Sequence, residues 1–128
     1  MTGPTRLFLQ LATMLVLAIT RVAPVQAQAT ADSAVLSDQV IDAGRAIFHG
    51  NGTCHACHGD DLQGGAIAPS LRGPKWRHVD GSFKSILERV RQGKSGTLMV
   101  GHPGDISDPE AVQAATYVWA VSQGKAKP

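Results

Sequence analysis

Two thiols and an imidazole stand within five consecutive residues, Cys54-His55-Ala56-Cys57-His58. Cys54 and Cys57 are the only cysteines of the 128-residue chain. The spacing places both thiols on one turn, where each can add to a vinyl group on the same edge of a porphyrin. His58 comes directly after and is then set over the central iron, to which an imidazole binds as fifth ligand. C-x-x-C-H in this order is the attachment signature of a covalent haem c. His55 reads as a spacer whose ring points elsewhere. Three other chemistries use similar residues. A Cys54–Cys57 disulfide suits an exported protein but has no need of His58. A thioredoxin-like redox pair needs a strand–helix setting, and no strand pattern is present. A zinc site needs four ligands, and there is no second cysteine pair.

The elements that must hold this motif are helical. Val40, Ile41, Gly44, Ile47 and Phe48 recur at helical spacing after a capping Ser37, which predicts a helix over 37–49. Gly50-Asn51-Gly52 breaks it just before the cysteines. Ser82 is an N-cap for a second helix with an apolar stripe of Phe83, Ile86, Leu87 and Val90, ended by Gly93. Ser107-Asp108-Pro109-Glu110 is a capping box with proline in the first turn. In the helix it opens, Ala111, Ala114, Ala115, Val118 and Val121 face inward with Tyr117 beside them. The fold class is all-α: about three main helices joined by long loops, 59–74 and 94–106. Loops of that length in a compact domain need a reason, and wrapping a flat cofactor supplies one.

The start of the chain has a different character. Arg6 precedes an apolar run, Leu7–Ile19, and Val25 and Ala27 stand at the −3 and −1 places a signal peptidase prefers. Residues 1–27 therefore read as a secretory signal peptide, 28–36 as a short linker and 37–124 as the folded domain. A cut after Ala29 fits almost as well. The competing reading is a retained membrane anchor, but the run is short of the roughly 20 apolar residues that span a bilayer. Loss of 1–27 removes Arg6 and Arg21 and leaves acidic and basic residues balanced, so overall charge makes no case for a nucleic-acid partner. Locally, Arg72, Lys75, Arg77, Lys84, Arg89, Arg91 and Lys94 are opposed only by Asp80 and Glu88. That stretch reads either as a solvated face or as a docking patch for an acidic partner. Beyond residue 27 the aromatics are Phe48, Trp76, Phe83, Tyr117 and Trp119. So few large groups make a marginal core unless something else fills it, as a buried porphyrin would.

These features together resemble the class I monohaem c-type cytochromes, over about Val40 to Gln123. Gly44 and Phe48 match positions that pack on an aromatic of the last helix, here Tyr117. Asn51–Gly59 matches the attachment region, and Ile106-Ser107-Asp108 with the alanine-rich helix after it matches the C-terminal segment. Ala68-Pro69-Ser70-Leu71 matches the segment whose proline carbonyl accepts the Nδ1 proton of the haem histidine, which implies that Pro69 orients His58. The resemblance also implies a methionine ligand from the loop before the last helix. Met99 is the only methionine outside residues 1–27. Val100 stands next to it where the family often has proline, so His102 is a rival sixth ligand and His78 a more distant one. Leu71, Leu98, Phe83 and Ile86 are candidate walls of the haem site, and Trp76 and Arg77 candidate contacts to its propionates.

The resemblance and the motif together predict an exported electron carrier, periplasmic or otherwise, with one covalent haem c and His58/Met99 ligation. With both axial positions filled by protein the iron has no place for substrate, so the expectation is not an enzyme. The expected partners are a redox donor and acceptor, either in free exchange or within a larger dehydrogenase or oxidase complex; a membrane is expected only if the leader is retained. An open sixth position would instead suit gas sensing or peroxide chemistry.

Overall fold

A computed structural model describes residues 37–128. The expected signal peptide and the expected linker lie outside the described residues. Helix α1 spans Asp38–His49, α2 His55–His58, α3 Phe83–Gln92 and α4 Asp108–Ser122, with a 3₁₀ turn at Pro103–Asp105. The three long helices start at the caps the sequence marks. Ser37 Oγ accepts from the Val40 N–H at 3.4 Å and Ser82 Oγ from the Ser85 N–H at 3.2 Å. At Ser107 the box is closed in both directions, with Glu110 Oε2 accepting from the Ser107 N–H at 2.8 Å. Each bond satisfies a donor that the first helical turn would leave orphaned. Two single turns, α2 and the 3₁₀ turn, are additions to the expected pattern; elements this short have no period to read. Among the described residues there is no strand, only an isolated antiparallel bridge between Gly93 and Val100. No helix among them is long and apolar enough to cross a membrane.

Helix α4 is the spine, packed by α1 on one side and α3 on the other. That double packing explains why its burial exceeds the expected stripe. Thr116 and Ala120 are also buried, and the Thr116 hydroxyl turns back to the Val112 carbonyl at 2.8 Å. The α1 contact is made without side chains at its closest point. A Cβ on Gly44 would stand 2.7 Å from the Gln113 carbonyl carbon and 2.8 Å from Tyr117 Cβ, so only glycine admits this approach. Beside it Phe48 and Tyr117 meet edge to face, centroids 5.6 Å apart. Such a pair contributes about 0.5–1.5 kcal/mol beyond its buried area. On the other side Ile86, Leu87 and Val90 are buried, and Phe83 meets Trp119 edge to face.

Polar latches join the loops to this spine. Arg91 donates Nε and an Nη to the two Asp108 oxygens, both at 2.7 Å, tying the end of α3 to the start of α4. Asn51 Nδ2 donates to Glu110 Oε1 at 2.9 Å, tying the loop before the cysteines to the same helix start. The Arg91 guanidinium holds the Asp108 carboxyl below the usual range, and the Ser107 N–H and hydroxyl do the same for Glu110. The Ser85 and Ser82 hydroxyls push Asp80 down to about 2.

This packing can be tested in two ways. Gly44→Ala must separate α1 from α4 and is expected to lose about 1–3 kcal/mol, the usual cost of overpacking, in denaturant titration of the haem-loaded protein. The pH dependence has a definite sign. A carboxyl depressed in the folded state stabilises above its unfolded pKa and loses that contribution as pH falls through the folded value. Thermal midpoints should therefore fall from about pH 4.5 downward, toward about pH 2. Asp108→Asn should melt below the wild type at pH 6, with the gap narrowing as the solution is acidified; a constant gap would refute the Arg91–Asp108 assignment.

Candidate functional site

The one-turn helix α2 carries the motif. It ends at Gly59, where φ is 81°, and the chain doubles back in a loop stitched by backbone bonds. The Gly64 N–H donates to the His58 carbonyl at 2.7 Å, Gly65 to Ala68 at 2.9 Å and Leu71 to Leu62 at 2.9 Å. Leu62 is fully buried and pins the loop to the core. The outcome is a 2.9 Å hydrogen bond between His58 Nδ1 and the Pro69 carbonyl, as the family resemblance implies. A carbonyl only accepts, so the proton sits on Nδ1 and the Nε2 lone pair is left free. Burial pushes the His58 pKa down, outweighing the upward pull of the Pro69 bond. The ring is thus held neutral, in one tautomer and one orientation, which is what a metal-ligating imidazole requires.

The two cysteines are free thiols in unlike settings. Cys54 is partly buried, and its thiol donates to the Gly52 carbonyl at 3.3 Å. Burial pushes its pKa up to about 11, with a smaller push from Cys57. Cys57 is exposed. His55 is turned away as a spacer, its Nδ1 donating to the Phe48 carbonyl at 3.2 Å.

Of the candidate site residues, all but Phe83 and the rival ligand His102 border one cavity of about 340 Å³. Cys54, Cys57 and His58 line it together with Pro69, Leu71, Trp76 and Met99. Leu98, Ile86, Arg77 and His78 also border it, whereas Phe83 packs on Trp119 instead. The rival His102 does not line it; its Nε2 faces the Asp108 carboxylate at 3.8 Å. Trp76 combines two roles, lining the cavity while its ring lies under the glycine backbone at Gly73 and Gly81. Arg89 is a further neighbour that the sequence does not single out. It borders the cavity with its guanidinium fixed by the Gly93 carbonyl at 2.7 Å and the His78 carbonyl at 3.1 Å, and its Nε is buried without a partner. Its position after Glu88 on an otherwise charged helix face carries no signal of this.

The donor set fits a covalent haem c. Two thiols, an imidazole with a free lone pair and a thioether border one largely apolar cavity. Among the described residues no group of three or more His, Cys, Asp or Glu is placed to hold a metal ion. The family model described as Cytochrome C oxidase, cbb3-type, subunit III matches residues 39–118. Cytochrome c-554(548) of Halomonas halodenitrificans is 37% identical over 67 residues, covering 52% of this chain and 81% of that protein. No solved structure gives a match. The all-α fold, the site and these two matches agree: the chain belongs to the c-type cytochrome family that this model describes, as a class I-like monohaem electron-transfer protein with one covalent haem c, not an enzyme.

Proposed function

We propose that the protein is an exported carrier of single electrons between redox proteins, whose haem would be held covalently by Cys54 and Cys57, with His58 and Met99 as the residues that would bind its iron. Residues 1–27 are a removed leader, 28–36 a linker and 37–124 the cytochrome domain. The observation that carries the ligand reading is the pairing within one cavity of His58, its tautomer set by Pro69, with Met99. When bound, haem supplies an iron centre that gains or loses one electron.

The chain does the rest. The Pro69 carbonyl orients the His58 ring and strengthens Nε2 as a donor. The thioether of Met99 is a soft ligand that favours the ferrous state and raises the potential. Leu71, Ile86, Val90, Ala114 and Val118 keep water from the cavity wall. Arg89 adds a fixed cation beside it, which also favours the reduced state.

The structure sorts the basic stretch. Arg72 is engaged with Asp61, Arg91 with Asp108, and Arg89 with carbonyls. Arg77 and Lys94 border the cavity, as do Ile67, Leu98 and Val100, which are 65%, 80% and 61% exposed. An apolar mouth flanked by cations suits a partner with an acidic rim, in free exchange or in a larger dehydrogenase or oxidase complex. Gel filtration of native extract distinguishes these, since a complex subunit co-elutes with its enzyme.

The ligation reading predicts that the oxidised protein shows the weak sulfur-to-iron band at the red edge of its spectrum. Met99→Ala should abolish that band, lower the midpoint potential and let the ferrous protein bind carbon monoxide; a band that survives would overturn it. For the docking face, Arg77→Glu with Lys94→Glu should slow electron exchange with an acidic partner by about tenfold or more at low salt. Raising ionic strength should erase most of the difference, whereas an unchanged rate would place docking elsewhere.

A further inference from the structure

The two neighbours of Met99, Leu98 and Val100, are among the most exposed large apolar residues. Met99 between them is only partly exposed, and it lines the cavity. A thioether is a weak ligand and cannot by itself organise the loop that presents it. The backbone shows what does. The Lys94 N–H donates to the Met99 carbonyl at 2.8 Å, and the Met99 N–H donates to Thr97 Oγ1 at 3.2 Å. Gly93 bridges Val100, and the His102 N–H donates to the Val90 carbonyl at 2.8 Å. Both peptide groups of Met99 are therefore used, and its segment lies backbone to backbone on the end of α3.

This contact exists because two glycines face each other across it. A Cβ on Gly93 would fall 2.6 Å from the Gly101 nitrogen and 2.6 Å from the Val100 carbonyl carbon. A Cβ on Gly101 would fall 3.2 Å from the Arg91 carbonyl carbon and closer still to its oxygen. Gly93 is needed twice over, since its φ of 66° with ψ of −159° is a region side chains avoid. Gly101 has no positive φ, so there the requirement is space alone.

We propose that Gly93 and Gly101 are positioning residues that form a side-chain-free seam between α3 and the Met99 segment, and that this seam fixes where the Met99 thioether stands. The proposal rests on Met99 being the sixth ligand. In both oxidation states the seam holds the ligand in place, so that electron transfer proceeds with little movement of the loop.

The test uses haem-loaded Gly101→Ala, with Ser95→Ala as control, because Ser95 is exposed in a turn of the same loop and takes no part in the seam or the cavity. Gly101→Ala leaves Cys54, Cys57 and His58 untouched and is expected to attach haem normally. Its ferric form should lose the red-edge sulfur-to-iron band, its midpoint potential should fall, and its ferrous form should take up carbon monoxide. Ser95→Ala should match the wild type in all three. A native band and potential in Gly101→Ala would overturn the seam. If that variant does not fold, hydrogen exchange on the wild-type holoprotein decides: the Lys94 and His102 amides should exchange far more slowly than those of Ser95 and Gly96, and equal rates would refute the proposal. A wild-type protein without the band would sink the Met99 ligation instead, while the exchange result would still report on the seam.

Discussion

The hydrogen bond from His58 Nδ1 to the Pro69 carbonyl is the constraint around which the site is organised. An imidazole offers two nitrogens, and only a fixed acceptor on one of them commits the other to a metal. The acceptor here is main chain, so it cannot swing away or titrate. It is supplied by a loop whose course is set by Leu62 in the core and by backbone bonds at Gly64, Gly65 and Leu71. The long loop after the cysteines is therefore a positioning device for one proton.

The packing shows the same economy of side chains. α4 presents alanines and a threonine to two neighbours, and α1 meets it at a glycine. Small residues let the helices approach closely, but they bury little apolar area each. A domain of this size with so few large side chains has little margin from its own core. The apolar wall of the cavity, contributed by α3, α4 and both long loops, is the surface left for a cofactor to cover. Cofactor binding and domain stability are thus coupled, as they are for small proteins built around a structural metal.

Much of this is legible in the residues. The caps at Ser37, Ser82 and Ser107 and the stops at Gly50 and Gly93 mark the long helices almost to the residue, because capping is local chemistry. The motif points to the cofactor, and the order of the surrounding segments points to Pro69 and Met99 as its neighbours. Sequence does not separate Met99 from His102. What sequence does not show is the αL conformation at His102, φ 46°, which leaves its ring facing Asp108 and away from the cavity lining. Nor does it sort the basic stretch: Arg72, Arg77, Arg89 and Arg91 look alike in sequence, and only tertiary contacts show which are spent on carboxylates or carbonyls. Arg89 is invisible as a cavity residue for the same reason.

The contact at Gly44 joins the first long helix to the last one, and so has a consequence for timing. α1 lacks its main packing partner until α4 exists, and α4 is the final element of the domain. While the chain is emerging, the segment between them is an open loop, and Cys54 has not yet acquired the burial that raises its thiol pKa to about 11. The meeting of the first and last helices therefore sets apart two sulfurs that lie three residues apart in the chain: Cys54 rests against the core and Cys57 stays exposed, while both still border the one cavity.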